Sequence, residues 1–118
     1  MKACWEFLKI YLCKESVDFR KGIFSLSQLV AMEMEHNPLD GSLYVFVNRS
    51  KTSLRCLYWN KTGFALWIKV LEKNRFPWPK AIAGQTIELS SSQLEWLIDG
   101  IDIWKLKPHP ELNYSRIV

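Results

Sequence analysis

The chain has 118 residues, 48% of them hydrophobic and 24% charged, with a net charge of +4. That length suits one domain with a single core, and it excludes a TIM barrel, a two-domain oxidoreductase or a complete transposase-type catalytic domain. No apolar run approaches the ~20 residues of a membrane span, and the first residues lack the apolar stretch of a signal peptide, so a cytoplasmic location is expected and no membrane partner.

In chain order, residues 8–13 alternate weakly and read as a short strand. Asp18 has the character of a helix N-cap, and Phe19, Ile23, Leu26 and Val30 then fall on one helical face, widened by Leu29 and Met34. Asn37 and Pro38 should stop that helix near His36. After a turn at Asp40-Gly41 come strands over 43–48 and 54–59, the second with Leu54, Cys56 and Tyr58 facing one way and Arg55, Leu57 and Trp59 the other. Residues 60–63 form a hairpin loop in which Gly63 can supply a positive φ. A strand over 64–71 follows, with a wholly apolar face of Phe64, Leu66, Ile68 and Val70. Lys73-Asn74 turns the chain into residues 75–79, where Pro77 and Pro79 permit an edge strand at best. Beyond a loop containing Gly84, residues 86–89 read as a strand. Ser90 and Gln93 then make a capping box for a helix with Leu94, Leu97, Ile98 and Ile101 on its buried stripe and Gly100 as its C-terminal glycine.

These elements predict an α+β fold, a twisted antiparallel sheet of four or five strands with two helices packed on one face. Residues 1–104 form the expected domain and 105–118 a mobile C-terminal tail.

Charge is unevenly placed. Residues 49–80 hold eight basic side chains against Glu72 alone, a local net of +7, while the segments on either side are mildly acidic. Tyr58, Trp59, Phe64, Trp67, Phe76 and Trp78 interleave with those cations. Cations that neutralise phosphates beside rings that stack on exposed bases make a nucleic-acid surface; a solvated sheet face over core aromatics is the plainer alternative. The candidate DNA-contacting residues are Arg49, Lys51, Arg55, Lys61, Lys69, Lys73 and Arg75, with Trp67 and Trp78 for stacking. Arg55, Lys69 and Arg75 are expected to project from neighbouring strands. Arg20 and Lys21, just after Asp18, are candidates for an anion at a helix start, although capping by itself explains the aspartate.

Catalytic signatures are missing. There is no phosphate-binding glycine loop, nucleophile elbow or zinc-binding His-Glu-x-x-His. Cys4, Cys13 and Cys56 form neither an even set nor a C-x-x-C, and with only His36 and His109 beside them a zinc site is not expected. No catalytic residue, metal or cofactor is therefore assigned.

Four ordered motifs carry a resemblance. They are Asp18-x-Arg20-Lys21-Gly22 with Leu26; Gly41-x-Leu43-x-Val45-Phe46; the stretch from Leu57 to Pro79 with Tyr58-Trp59, Gly63-Phe64, Leu66-Trp67, Lys69, Leu71-Glu72, Arg75-Phe76 and Trp78-Pro79; and Leu89, Gln93, Leu94, Leu97, Ile98, Gly100, Ile101 and Asp102. In these the chain resembles the small accessory proteins called TnpB, or Orf-two-like, of the bacterial insertion-sequence class numbered sixty-six, departing from their pattern at Asn60, Val70, Asn74 and Ser25. The RNA-guided nuclease that shares the name TnpB is a different, much longer protein. The resemblance implies a role in DNA transposition beside a separate transposase, without a defined reaction. Two mechanisms are open: binding DNA at the element ends through residues 49–80, or a non-catalytic adaptor that holds the transposase or another element-encoded subunit. A homo-oligomer is left open by the sequence.

Overall fold

The computed structural model describes residues 1–80 and 85–105. The expectations for the loop around Gly84 and for the tail from residue 106 onward lie outside the described residues.

Five strands form one sheet: β1 (Ile10–Cys13), β2 (Leu43–Val47), β3 (Ser53–Asn60), β4 (Gly63–Val70) and β5 (Thr86–Leu89), in the order β4-β3-β2-β1-β5. The α+β class holds, with one correction to the sheet. β1 pairs with β2 in parallel, Ile10 opposite Leu43 and Leu12 opposite Val45, while the other three pairings are antiparallel. The sheet is therefore mixed. Parallel neighbours need a crossover between them, and helix α1 (Ile23–Met32) lies in that connection.

A second correction concerns the helices, which cover opposite faces of the sheet. Leu12, Leu43, Val45, Val47, Leu54 and Cys56 pack with Leu94 and Leu97 of α2 (Ser91–Ile98). Tyr44, Phe46, Leu57 and Cys13 pack with Leu26, Val30 and Met34 from α1 and the residues after it. Alternation across the pleat sends successive side chains of β2 into two separate cores, and all five of its residues are buried.

Helix α1 also starts later than Asp18 suggests. Its N-cap is Gly22, without a side-chain cap, because Asp18 is engaged in a turn of its own: its Oδ1 accepts from the Arg20 N–H at 3.0 Å, and its carbonyl accepts from the Lys21 N–H. The helix ends before His36. Glu35 takes the left-handed conformation at φ 57°, and the His36 N–H turns back to the Val30 carbonyl. The His36 ring then stacks on Tyr11 at 4.1 Å.

In the β3–β4 hairpin Lys61, at φ 53°, takes the left-handed position expected of Gly63. Asn74 at φ 67° and Gly100 at φ 85° do turn as the sequence indicates. Ser90 caps α2 reciprocally with Gln93, whose N–H reaches the Ser90 Oγ at 3.1 Å while its Oε1 accepts the Ser90 N–H at 2.9 Å.

Two stability outcomes follow. Phe46→Ala, which empties a fully buried site between β2 and α1, lowers unfolding free energy by about 3–5 kcal/mol. Ser90→Ala, which removes one half of the capping box, lowers it by about 1 kcal/mol. Urea titrations followed by far-UV circular dichroism measure both.

Candidate nucleic-acid interface

The strand directions gather charge at one end of the sheet. β1 and β2 finish there, β3 and β5 begin there, and β4 finishes there. The connecting residues 14–21, 48–52 and 71–80 carry eight basic side chains against Glu15, Asp18 and Glu72.

These connections are stitched to the sheet. In the β2–β3 turn the Asn48 Oδ1 accepts the N–H groups of Thr52 and Ser53, each at 3.0 Å, and Lys51 is left-handed at φ 62°. The Lys51 carbonyl accepts the Phe76 N–H at 2.7 Å, tying the turn to residues 75–80. That segment is not a strand. It crosses the end of the sheet as a strap, held by the buried rings of Phe76 and Trp78. The Trp78 indole N–H is shared between the carbonyls of Cys13 and Lys14, at 3.3 and 3.0 Å, and the Trp104 indole donates to the Pro77 carbonyl at 3.0 Å.

Two adjoining open hollows result. Lys51, Arg75, Lys80 and Lys105 line one of about 660 Å³ together with Asp102, which pairs with Lys105 at 3.8 Å, and Lys14, Lys51 and Lys80 line a smaller one of about 280 Å³ together with Glu15. A third, of about 910 Å³, lies between residues 16–20 and 48–50 and includes Arg20 and Arg49.

Of the residues named from the sequence, the structure therefore brings Arg49, Lys51, Lys73 and Arg75 to the same end, with Arg20 and Lys21 beside them. Arg20 is committed to Asp18, with Nη2 to Oδ2 at 2.7 Å, and that pairing holds the Asp18 carboxyl down at about 2. Lys61 sits in the hairpin turn at the opposite end of β3. Arg55 and Lys69 do not share a face. Arg55 pairs with Ile68 on the α1 side, where its guanidinium lies 4.5 Å over the Phe19 ring and its buried Nε has no partner. Lys69 pairs with Leu54 on the α2 side and donates to the Ile98 carbonyl at 2.8 Å. Trp67 is partly buried against the α2-side core, and Trp78 is buried beneath the strap.

Sequence reasoning left Lys14 and Lys80 out of the site. Lys80 was part of the basic run but followed a Pro-Trp-Pro stretch with no periodicity, and Lys14 joins the group only because β1 runs parallel to β2.

Chemistry beyond charge is sparse. Burial pushes all three thiols up, Cys56 most strongly, so none is a ready thiolate. Among the described residues no group of three or more His, Cys, Asp or Glu side chains is placed to hold a metal ion, and no helix is long and apolar enough to cross a membrane.

The exposed Asp18–Arg20 pair makes a pH prediction. A carboxyl whose folded value lies below the unfolded value of about 4 contributes stability above that value and loses it as pH falls through about 2. Carboxyl-carbon NMR should place the Asp18 midpoint near 2, and Arg20→Ala should return it toward about 4.

A family model described as IS66 Orf2 like protein matches residues 8–108. The uncharacterized protein y4hO of Sinorhizobium fredii is 36% identical over 104 residues, covering 88% of this chain and 86% of that protein. The uncharacterized protein y4jC of the same organism is 32% identical over 110 residues, covering 93% of each chain. No solved structure matches the chain.

Proposed function

The chain belongs to the IS66 Orf2-like family of insertion-sequence accessory proteins, and from that premise we propose that it assists transposition beside a separate transposase by holding DNA phosphates at the basic end of its sheet. The family is not one of known enzymes, and an accessory role asks for binding rather than bond chemistry. The observation that supports the reading is the clustering of Arg49, Lys51, Arg75 and Lys80, with Lys14, around a turn and strap that are anchored to the core. Cations on a fixed frame neutralise phosphates with little further ordering, and such contacts position a duplex without reading its bases. Any preference for element ends then comes from DNA shape or from the transposase.

This proposal moves the contact surface from the sheet face to the sheet end. Arg55 and Lys69, on opposite faces, are not part of it, and Lys61 is a strand's length away.

An adaptor reading rests on a different observation. Trp5 is 73% exposed and Trp96 is 42% exposed, and the segments that carry them, the 3-10 turn Cys4–Glu6 and α2, pack together. Exposed indoles are common anchors at protein interfaces. Retention of the transposase from nuclease-treated lysate at high salt, lost with Trp5→Ala, would favour it.

The DNA reading is tested by fluorescence anisotropy of labelled duplexes, element-end against scrambled, at about 50 and about 200 mM salt. Four to five phosphate contacts give a log–log salt slope of about −4. The combined variant Arg49→Ala, Lys51→Gly, Arg75→Ala and Lys80→Ala should flatten that slope toward zero, with glycine used at 51 because it keeps the left-handed backbone unstrained. Lys61→Ala should leave binding unchanged. A wild-type slope near zero would reject the proposal.

A further inference from the structure

The outer edge of β4 is a surface that the DNA reading does not use. β4 is the last strand on its side of the sheet, with β3 as its sole strand neighbour among the described residues. In a hairpin with a two-residue loop the closing pair, Asn60 and Gly63, exchanges hydrogen bonds, and so does every second pair after it: Tyr58 with Ala65, Cys56 with Trp67, Leu54 with Lys69. The Leu71 N–H bonded to the Thr52 carbonyl at 2.9 Å continues the same alternation. Phe64, Leu66, Ile68 and Val70 consequently direct their N–H and C=O groups away from β3.

The two edges of the sheet differ. β5 is four residues long and carries Glu88, which pairs with Lys9, so that edge is short and charged. β4 is eight residues long and has no proline, and its single charged side chain, Lys69, is turned back onto the Ile98 carbonyl. On the α1 side of this strand Ile68 is 47% exposed and Val70 66% exposed, because the α1-side core takes in Phe64 and Leu66 but not the end of β4. An edge that is long, apolar and without a guarding charge is a template for another strand.

We propose that the strand it takes is β4 of a second copy, paired antiparallel about a two-fold axis so that the two sheets become one. β4 is complementary to itself. With Trp67 on the axis, Phe64 faces Val70 of the second copy and Leu66 faces Ile68, so all four residues with outward backbone groups pair with residues of the same kind. The exposed Ile68 and Val70 are then covered by apolar partners on the same face. Lys69 falls opposite Ala65, so no like charges oppose one another, whereas a register centred on Lys69 would set two ammonium groups face to face. A two-fold contact of this kind also closes on itself and does not propagate. It sends the basic ends of the two copies to opposite ends of the joined sheet, where their charges do not meet. The proposal is independent of the DNA reading.

Sedimentation equilibrium of the full chain from about 1 to about 200 μM tests it. The expected result is the mass of two chains at the upper concentrations, reverting to one chain in Ile68→Lys, whose exposed site leaves the melting temperature near that of the parent. A second variant, Ala65→Cys with Lys69→Cys, brings the new thiols opposite each other across the axis and should form a covalent dimer on mild oxidation; the native thiols are buried and do not compete. One-chain mass throughout, a dimer that survives Ile68→Lys, or failure of the double-cysteine chain to cross-link would each overturn the proposal. So would a one-chain protein that pairs only when transposase is added, since the edge would then belong to a different partner.

Discussion

The parallel pairing of β1 with β2 is the constraint on which the rest of this architecture depends. Two parallel neighbours cannot be joined by a tight turn, so the chain must leave the sheet between Cys13 and Leu43 and return, and α1 is laid across one face in doing so. That leaves the other face of β2 uncovered, and α2 fills it. Leu43, Val45 and Val47 on one side and Tyr44 and Phe46 on the other each have a core to enter, which is why this strand reads as an unbroken apolar run.

The same pairing sets the chemistry of the ends. Because β1 and β2 exit together, the segment after β1, the turn after β2 and the strap after β4 meet at one place. The strap is aromatic for a structural reason: Phe76 and Trp78 plug the end of the core, and the Trp78 indole satisfies carbonyls where β1 leaves the ladder. Cations and rings interleave in this part of the chain, but they divide the labour, with the rings inward and the cations outward.

Much of this was legible from residue order. The alternation of Leu54, Cys56 and Tyr58 against Arg55, Leu57 and Trp59 predicted the two faces of β3, and the Ser90–Gln93 box, Asn74 and Gly100 marked turns and caps through local chemistry that needs no tertiary context. What was not legible depended on distant partners. A period of two carries no strand direction, so the parallel pair was invisible, and with it the placing of the helices on opposite faces. Asp18 has the look of a cap in the sequence because the pattern is the same whether its carboxylate meets a helix N–H or the Arg20 guanidinium two residues on. Trp78 sits between prolines, where no periodicity tells an inward ring from an outward one. The faces of Arg55 and Lys69 were implicit in the odd–even rule once the register across the hairpin was known.

The pairing of β1 with β5 has a consequence for how the molecule is made. Ile10 lies opposite Leu89, so the earliest made of the five strands has its second edge closed by the latest made of them. Until residues 86–89 emerge, β1 has at most one neighbour, and the indole that seals its end, at residue 78, is itself late. Synthesis from the N-terminus at about 5–20 residues per second leaves that edge open for several seconds. Closure of the sheet therefore waits for residues 86–89, and a product that stopped before residue 86 would present a bare apolar strand to whatever lay nearby.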